Sequence, residues 1–225
     1  MSTIRVAIDG PSGAGKSTLA RSAAGKLGFV YVDTGAIYRT IGLYVFRNRI
    51  DPEDGEAVAA ALESIHVEVR YDAGGGQQMY LNGRNVSEEI RAPEISDYAS
   101  KVGAVPAVRD YLMETQRSIA RKHNVIMDGR DIGTVVLPDA EVKVFLTASI
   151  EARARRRMLD YERQGTPKPY EEVLREARER DDRDTHRAAA PLRQAEDAVV
   201  LDTTELDFAR SEEALLNIIR RRTKL

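Results

Sequence analysis

Residues 4–18 read Ile4-Arg5-Val6-Ala7-Ile8-Asp9-Gly10-Pro11-Ser12-Gly13-Ala14-Gly15-Lys16-Ser17-Thr18, and this stretch decides the fold. Residues 4–8 form a short β-branched apolar run that stops at Asp9-Gly10, the pattern of a strand buried on both faces. Gly10 to Ser17 satisfies G-x-x-x-x-G-K-[ST]. Residues 16–27 follow as a helix with Leu19, Ala20, Ala23, Ala24 and Leu27 on one side. A strand, a glycine-rich turn and a helix in that order aim converging backbone N–H groups and a helix N-terminus at an anion. Wrapping a chain of phosphates needs residues free to take unusual φ/ψ and no side chain in the way. Lys16 would then reach the β- and γ-phosphates, and Ser17 would offer its hydroxyl to Mg²⁺. The plain alternative is an ordinary glycine-rich turn, which the flanking strand and helix argue against.

Working outward, residues 29–32 are a second apolar run, ended by Asp33-Thr34-Gly35, and residues 36–46 carry a helical stripe of Ile37, Ile41, Tyr44 and Val45. Strand–helix–strand–helix predicts a parallel sheet with right-handed crossovers. The rhythm then changes. Residues 67–71 alternate apolar and charged positions, residues 72–76 turn the chain, and residues 78–81 lead into Asn82-Gly83, a hairpin signal. This predicts a small antiparallel insert over residues 65–90. A helix over 106–122 and apolar runs at 125–127, 142–146 and 199–201 restore the α/β pattern. Residues 151–193 are crowded with charge of both signs and broken at Gly165-Thr166-Pro167-Lys168-Pro169. They predict a protruding, solvated helical hairpin whose small apolar side includes Ile150 and Met158.

The chain has 225 residues, 42 % hydrophobic and 31 % charged, the balance of a soluble globular protein. The absence of cysteine excludes disulfides, thiolate zinc sites and cysteine nucleophiles. Net charge is −2, so a globally basic nucleic-acid binder is not expected. No run approaches the length of a membrane span, and the start MSTIRVAIDG lacks the features of a signal peptide. The expectation is a cytoplasmic protein with no membrane partner. A monomer is expected, because no apolar surface stripe demands a partner.

The loop alone does not distinguish a kinase from a switch or a motor. A guanine-reading N/T-K-x-D motif is absent, and a motor needs a second domain to push against. A small-molecule kinase needs a phosphate cradle, a site for an acceptor, and cations that close over the transferring group and exclude water. Arg153, Arg156 and Arg157 stand at i, i+3 and i+4, and Arg180, Asp184 and Arg187 at i, i+4 and i+7, so each set shares one helix face. The plain reading of both stripes is a solvated helix with ion pairs worth a few tenths of a kcal/mol each; beside a phosphate cradle, a catalytic role is preferred. Asp128-Gly129-Arg130-Asp131 ends the strand over 125–127, where open α/β sheets bind ligands. Asp128 would approach Mg²⁺ directly or through water, and Arg130 would grip an acceptor phosphate, unless the acids merely cap the next segment. Asp33-Thr34-Gly35 through Tyr38-Arg39 occupies the same position after the second strand. There the alternative is N-capping by Thr34, with Arg39 merely exposed.

With these residues assembled, the chain resembles the bacterial cytidylate kinases, within the nucleoside monophosphate kinase superfamily of P-loop proteins. The resemblance covers essentially the whole length and rests on residues 9–18, 33–39, 128–134 and 180–184. It implies a three-layer α/β/α P-loop fold with a central parallel sheet, a small antiparallel-β insert in the monophosphate-binding region and a helical lid. The core would comprise residues 1–64, 91–150 and 188–225, the insert 65–90 and the lid 151–187. It further implies reversible transfer of the γ-phosphoryl group of ATP to CMP or dCMP with Mg²⁺. On this resemblance Gly10, Pro11, Ser12, Gly13, Ala14, Gly15, Lys16, Ser17 and Thr18 would hold the ATP phosphates. Thr34, Arg39, Arg130 and Arg187 would serve the acceptor side, Arg39, Arg130 and Arg187 holding the CMP phosphate and the transferring group. Ser100, Arg109 and Asp131 would address the cytosine edge, and Arg180 with Asp184 the sugar hydroxyls. Arg153, Arg156 and Arg157 would belong to the closing lid. Thr34 stands where relatives often have serine and Ser17 where glycine is common; both keep or add a hydroxyl. The rival readings are a kinase for AMP, UMP or dTMP, and a regulatory or RNA-binding protein that uses its arginines on a phosphate backbone.

Overall fold

The computed structural model describes residues 3–163 and 165–223. In chain order the elements are β1 (Arg5–Asp9), α1 (Lys16–Leu27), β2 (Val30–Asp33), α2 (Thr34–Arg47), α3 (Gly55–Ala61), β3 (Val67–Tyr71), β4 (Gln77–Leu81), β5 (Arg84–Asn85) and α4 (Pro93–Val102). There follow α5 (Pro106–Lys122), β6 (Val125–Gly129), a π-helical turn (Ile132–Val136), β7 (Val142–Thr147), α6 (Ile150–Arg163), α7 (Tyr170–His186), β8 (Val199–Asp202) and α8 (Phe208–Thr223).

The main sheet runs β2-β6-β1-β7-β8, with every neighbouring pair parallel. Alternation along β1 explains the layers. Val6 and Ile8 face a core shared with Leu19 and Ala23 of α1 and Leu215 and Ile219 of α8. Ala7 faces the opposite core, with Ile37 and Ile41 of α2 and Val108 and Leu112 of α5. The sheet is therefore covered on both sides, which is why its central strands read as unbroken apolar runs.

The second sheet is β3-β4-β5, antiparallel throughout. Its hairpin turns at Asn82 and Gly83, with φ of 49° and 79°, the left-handed pair that the Asn-Gly signal predicts. Val67, Met79 and Leu81 enter the same core as α2 and α5. Helices α3 and α4 carry no prediction from the sequence. In α4, Pro93 occupies the first turn and Ile95, Ala99 and Val102 are buried.

Helices α6 and α7 enclose a small core of Ala154, Tyr161, Val173 and Leu174, against which Ile150 packs. The apolar side of α6 is thus Ala154 and Tyr161, and Met158 lies outside it. The hairpin is not free of the body: Arg153, 6 % exposed, donates to the carbonyls of Ala148 and Ser12 at 3.0 and 3.1 Å. Among the described residues, no helix is long and apolar enough to cross a membrane.

Gly10 shows how closely the strands constrain the loop. Its φ is 150°, and a Cβ there would stand 1.9 Å from the Leu146 carbonyl oxygen of β7. Relief requires β1 and β7 to part. Gly10→Ala is therefore expected to cost about 3 kcal/mol, lowering Tm by about 6–12 °C in a thermal scan. An unchanged Tm would show that the β7 carbonyl yields freely.

Candidate active site

The carboxyl ends of β1, β2, β6 and β8 open onto one cleft of ≈ 610 Å³. Among the candidate residues, Gly10, Pro11 and Arg153 alone lie off its wall. In the phosphate-binding loop, Gly13 and Gly15 take φ of 77° and 93°. A side chain at Gly13 would also press on α6, since its Cβ would lie 3.3 Å from that of Arg153. Lys16 is 5 % exposed and donates to the Pro11 carbonyl at 2.7 Å. Burial first, then the positive charge of Arg130, hold its amine well below the ordinary lysine pKa. A cation so poorly solvated gains greatly when an anion arrives.

The Ser17 hydroxyl donates to Asp128 Oδ2 and the Tyr31 hydroxyl to Asp128 Oδ1, both at 2.9 Å. Burial and the charge of Asp33 raise the Asp128 pKa. A hydroxyl and a carboxylate beside the loop are the hard oxygen donors that Mg²⁺ takes. No cluster of three or more His, Cys, Asp or Glu suited to a metal occurs among the described residues. An ion here would draw its other ligands from phosphate and water, which is how Mg²⁺ sits with nucleotides.

Asp9, which no motif role singles out, also shapes the site. Its buried carboxylate accepts from the backbone N–H groups of Ile132 and Gly133, each at 2.7 Å, and so ties the segment after β6 to β1. Burial pushes its pKa up to about 6 against those two hydrogen bonds.

At the end of β2 the helix cap is Asp33, not Thr34: Asp33 Oδ1 accepts from Ala36 N at 2.8 Å. Thr34 instead donates its hydroxyl to the Asp128 carbonyl at 2.7 Å, bracing β2 against β6. Arg39 is not merely exposed. Its Nη2 pairs with Asp33 Oδ2 at 2.9 Å, and its Nε is buried without a partner. Arg109 and Asp131 form a buried ion pair. Arg109 Nη1 also donates to the Gly103 carbonyl at 3.1 Å, and its guanidinium lies 5.6 Å from the Tyr38 ring centroid. Arg187 reaches the other Asp131 oxygen at 3.4 Å. The Ser100 hydroxyl, on α4, is buried with no partner, a donor and acceptor left for a ligand.

The arginine stripes separate in space. Asp184 pairs with Arg130 across the cleft at 2.7 Å rather than with its helix neighbours. Arg180 Nε is buried and unpartnered, and burial together with the charge of Arg130 pushes Arg180 down to about 10. Arg153 binds Asp181 through both terminal nitrogens, at 3.0 and 2.6 Å. Arg156 donates to the Thr203 carbonyl at 2.6 Å and to Ala14 at 3.3 Å. Among the described residues Arg157 hydrogen-bonds Tyr161 alone, at 3.5 Å, with that ring's centroid 5.2 Å away, and is the least constrained of the three. Thr203, Leu206 and Phe208 complete the wall beyond β8. None of the three belongs to a motif, and the signal for them in the sequence is the carboxyl end of β8, where open α/β sheets bind ligands.

Comparison with known proteins identifies the family. The chain matches the cytidylate kinase family over residues 6–221. It is 50 % identical over 219 residues to the cytidylate kinase of Carboxydothermus hydrogenoformans, covering 97 % of this chain and 98 % of that one. It is 48 % identical over 222 residues to that of Caldanaerobacter subterraneus subsp. tengcongensis, covering 99 % and 97 %. The crystal structure of an uncharacterised protein from Eubacterium ventriosum shares the fold, with a TM-score of 0.54 at 12 % identity, over 98 % of this chain and all of that one. The chain belongs to the cytidylate kinase family.

Proposed function

We propose that this protein transfers the γ-phosphoryl group of ATP to the phosphate of CMP or dCMP, giving ADP and CDP or dCDP, reversibly. The observation that carries the acceptor assignment is the buried Arg109–Asp131 pair beside the unpartnered Ser100 hydroxyl, in the same cleft as Lys16. Cytosine presents an amino donor next to ring acceptors. A carboxylate paired with a guanidinium is complementary to that edge, whereas uracil turns a carbonyl toward the acid. A site built on buried polar partners discriminates strongly, because the wrong base leaves them unpaired.

Residues 10–18 hold the donor phosphates, with Lys16 on the β- and γ-phosphates. Arg39, whose Nε lacks a partner, grips the acceptor phosphate together with Arg130 and Arg187. Arg180 and Asp184 face the sugar. Ser17 and Asp128 hold Mg²⁺, which when bound neutralises charge on the phosphate oxygens. Phosphoryl transfer asks little covalent chemistry of a protein. Aligning donor and acceptor, and spreading positive charge over the equatorial oxygens, supplies most of the rate.

Residues 151–187 act as the lid. Their core of Ala154, Tyr161, Val173 and Leu174 is separate from the two cores of the body, and polar contacts such as Arg130–Asp184 and Arg183–Asp97, at 2.7 and 2.9 Å, join the two. With an apolar core of its own and polar contacts to the body, the hairpin can move as a unit by trading those contacts for water or ligand. Within it Arg157 is free to swing over the transferring group, while Arg153 serves the same chemistry by holding α6 on the loop. The insert at residues 65–90 belongs to the acceptor side, and the remainder forms the core. The reaction is assigned to a cytoplasmic monomer acting on small nucleotides, without nucleic acid or membrane.

A coupled assay of ADP production with ATP and Mg²⁺ across CMP, dCMP, UMP, AMP and dTMP tests this. CMP and dCMP are expected to give the highest kcat/KM. AMP or dTMP exceeding CMP would overturn the base assignment, and no acceptor-dependent ADP at all would overturn the reaction.

A further inference from the structure

Beside the apolar packing of the insert on α2, Gln77 makes its hydrogen bonds to the end of β2. β2 is an edge strand of the main sheet, paired on one side to β6 and open on the other. At Asp33 that open edge is closed by the side-chain amide of Gln77, the first residue of β4. Asp33 N donates to Gln77 Oε1 at 2.8 Å, and Gln77 Nε2 donates to the Asp33 carbonyl at 3.1 Å. The amide thus takes the place of a missing neighbouring strand, satisfying a donor and an acceptor at once. Gln77 Nε2 also reaches Met79 Sδ at 3.1 Å, and Met79 is buried in the core beneath.

What Gln77 holds matters because of the Asp33 carboxylate. One oxygen caps α2 at Ala36, and the other pairs with Arg39 at 2.9 Å. A shift of the Asp33 backbone therefore moves both the start of α2 and the guanidinium that reaches for phosphate. Asp33 lies part-buried, where a replacement water would have to satisfy both backbone groups together.

We propose that Gln77 is a positioning residue for the acceptor phosphate: its amide, hydrogen-bonded to both backbone groups of Asp33, sets Arg39 from the antiparallel insert. The inference rests on the reading above that Arg39 holds that phosphate.

Gln77→Ala and Gln77→Met, the second keeping the bulk without the hydrogen bonds, are compared with Arg39→Ala and with each Gln77 change combined with Arg39→Ala. Steady-state kinetics with CMP and ATP varied in turn, and Tm, are measured for each. The expected result is a KM for CMP raised about 5- to 10-fold in both Gln77 variants, as for loss of one to two hydrogen bonds, with KM for ATP unchanged. In the Arg39→Ala background the Gln77 changes should add nothing further, since the two act as a unit. An unchanged KM for CMP, equal rises for both substrates, or additive effects would each overturn the inference while Arg39→Ala still weakens CMP. If Arg39→Ala itself leaves KM for CMP unchanged, the assignment of Arg39 has failed, and the inference falls with it.

Discussion

Lys16→Ala is expected to lower kcat/KM about 10³-fold or more, some 4 kcal/mol of transition-state stabilisation, while leaving the fold intact. The two halves of this result share a cause. The Lys16 amine is 5 % exposed with a single carbonyl partner, Pro11, and burial and the charge of Arg130 depress its pKa. Without a phosphate it is a cation held in a poorly compensated place, so its removal relieves the free protein. Tm is expected to stay level or rise. With the triphosphate present, the same desolvation makes the amine's attraction for the γ-phosphate strong, and alanine leaves that charge unanswered. Near-normal turnover would remove Lys16 from the chemistry. Lost turnover with a collapsed Tm would make it a structural residue instead.

Asp131→Ala is expected to raise KM for CMP by at least about 10²-fold while ATP binding changes little. Asp131 is 4 % exposed and carries the Arg109 ion pair, with Arg187 at 3.4 Å on its other oxygen. On the proposed base assignment, its loss takes away the acceptor for the cytosine amino group. It also strands Arg109, which keeps only the Gly103 carbonyl at 3.1 Å and the face of Tyr38. Breaking a buried pair from one side costs about 3–5 kcal/mol, so Tm should fall by roughly 6–20 °C. Separate calorimetric titrations with CMP and ATP distinguish the roles. Equal loss of both affinities would mean that Asp131 supports the cleft without reading the base.

The readable parts of this molecule were those whose cause is local. The phosphate-binding loop, α1 and the hairpin at Asn82-Gly83 each follow from contiguous residues, and α1 spans the residues its apolar spacing predicts. Helix α4 carries a local signal of its own: Pro93 in its first turn, then Ile95, Ala99 and Val102 at helical spacing. Ser100 sits on that helix, and its orphaned hydroxyl is visible only once the helix is packed. At the start of α2, both Asp33 and Thr34 are cap-forming types, and local sequence does not choose between them. Asp33 caps because the hydroxyl of Thr34 is drawn away to the Asp128 carbonyl on the neighbouring strand.

Sequence by itself determined a parallel α/β core with a phosphate cradle at its leading strand, an antiparallel insert and an arginine-rich helical pair, because backbone preference and apolar periodicity act over a few residues. Only the tertiary structure decided which charge answers which. Helical spacing sets Asp184 between Arg180 and Arg187, yet it pairs with Arg130 from 54 residues away. Arg153 turns from the stripe to Asp181 and the Ser12 carbonyl, and Gln77 reaches the backbone of Asp33 across 44 residues. Neighbouring charges on a solvated helix gain a few tenths of a kcal/mol, whereas the same charges in a desolvated cleft interact several times more strongly. The partners chosen are therefore those the fold brings together out of water.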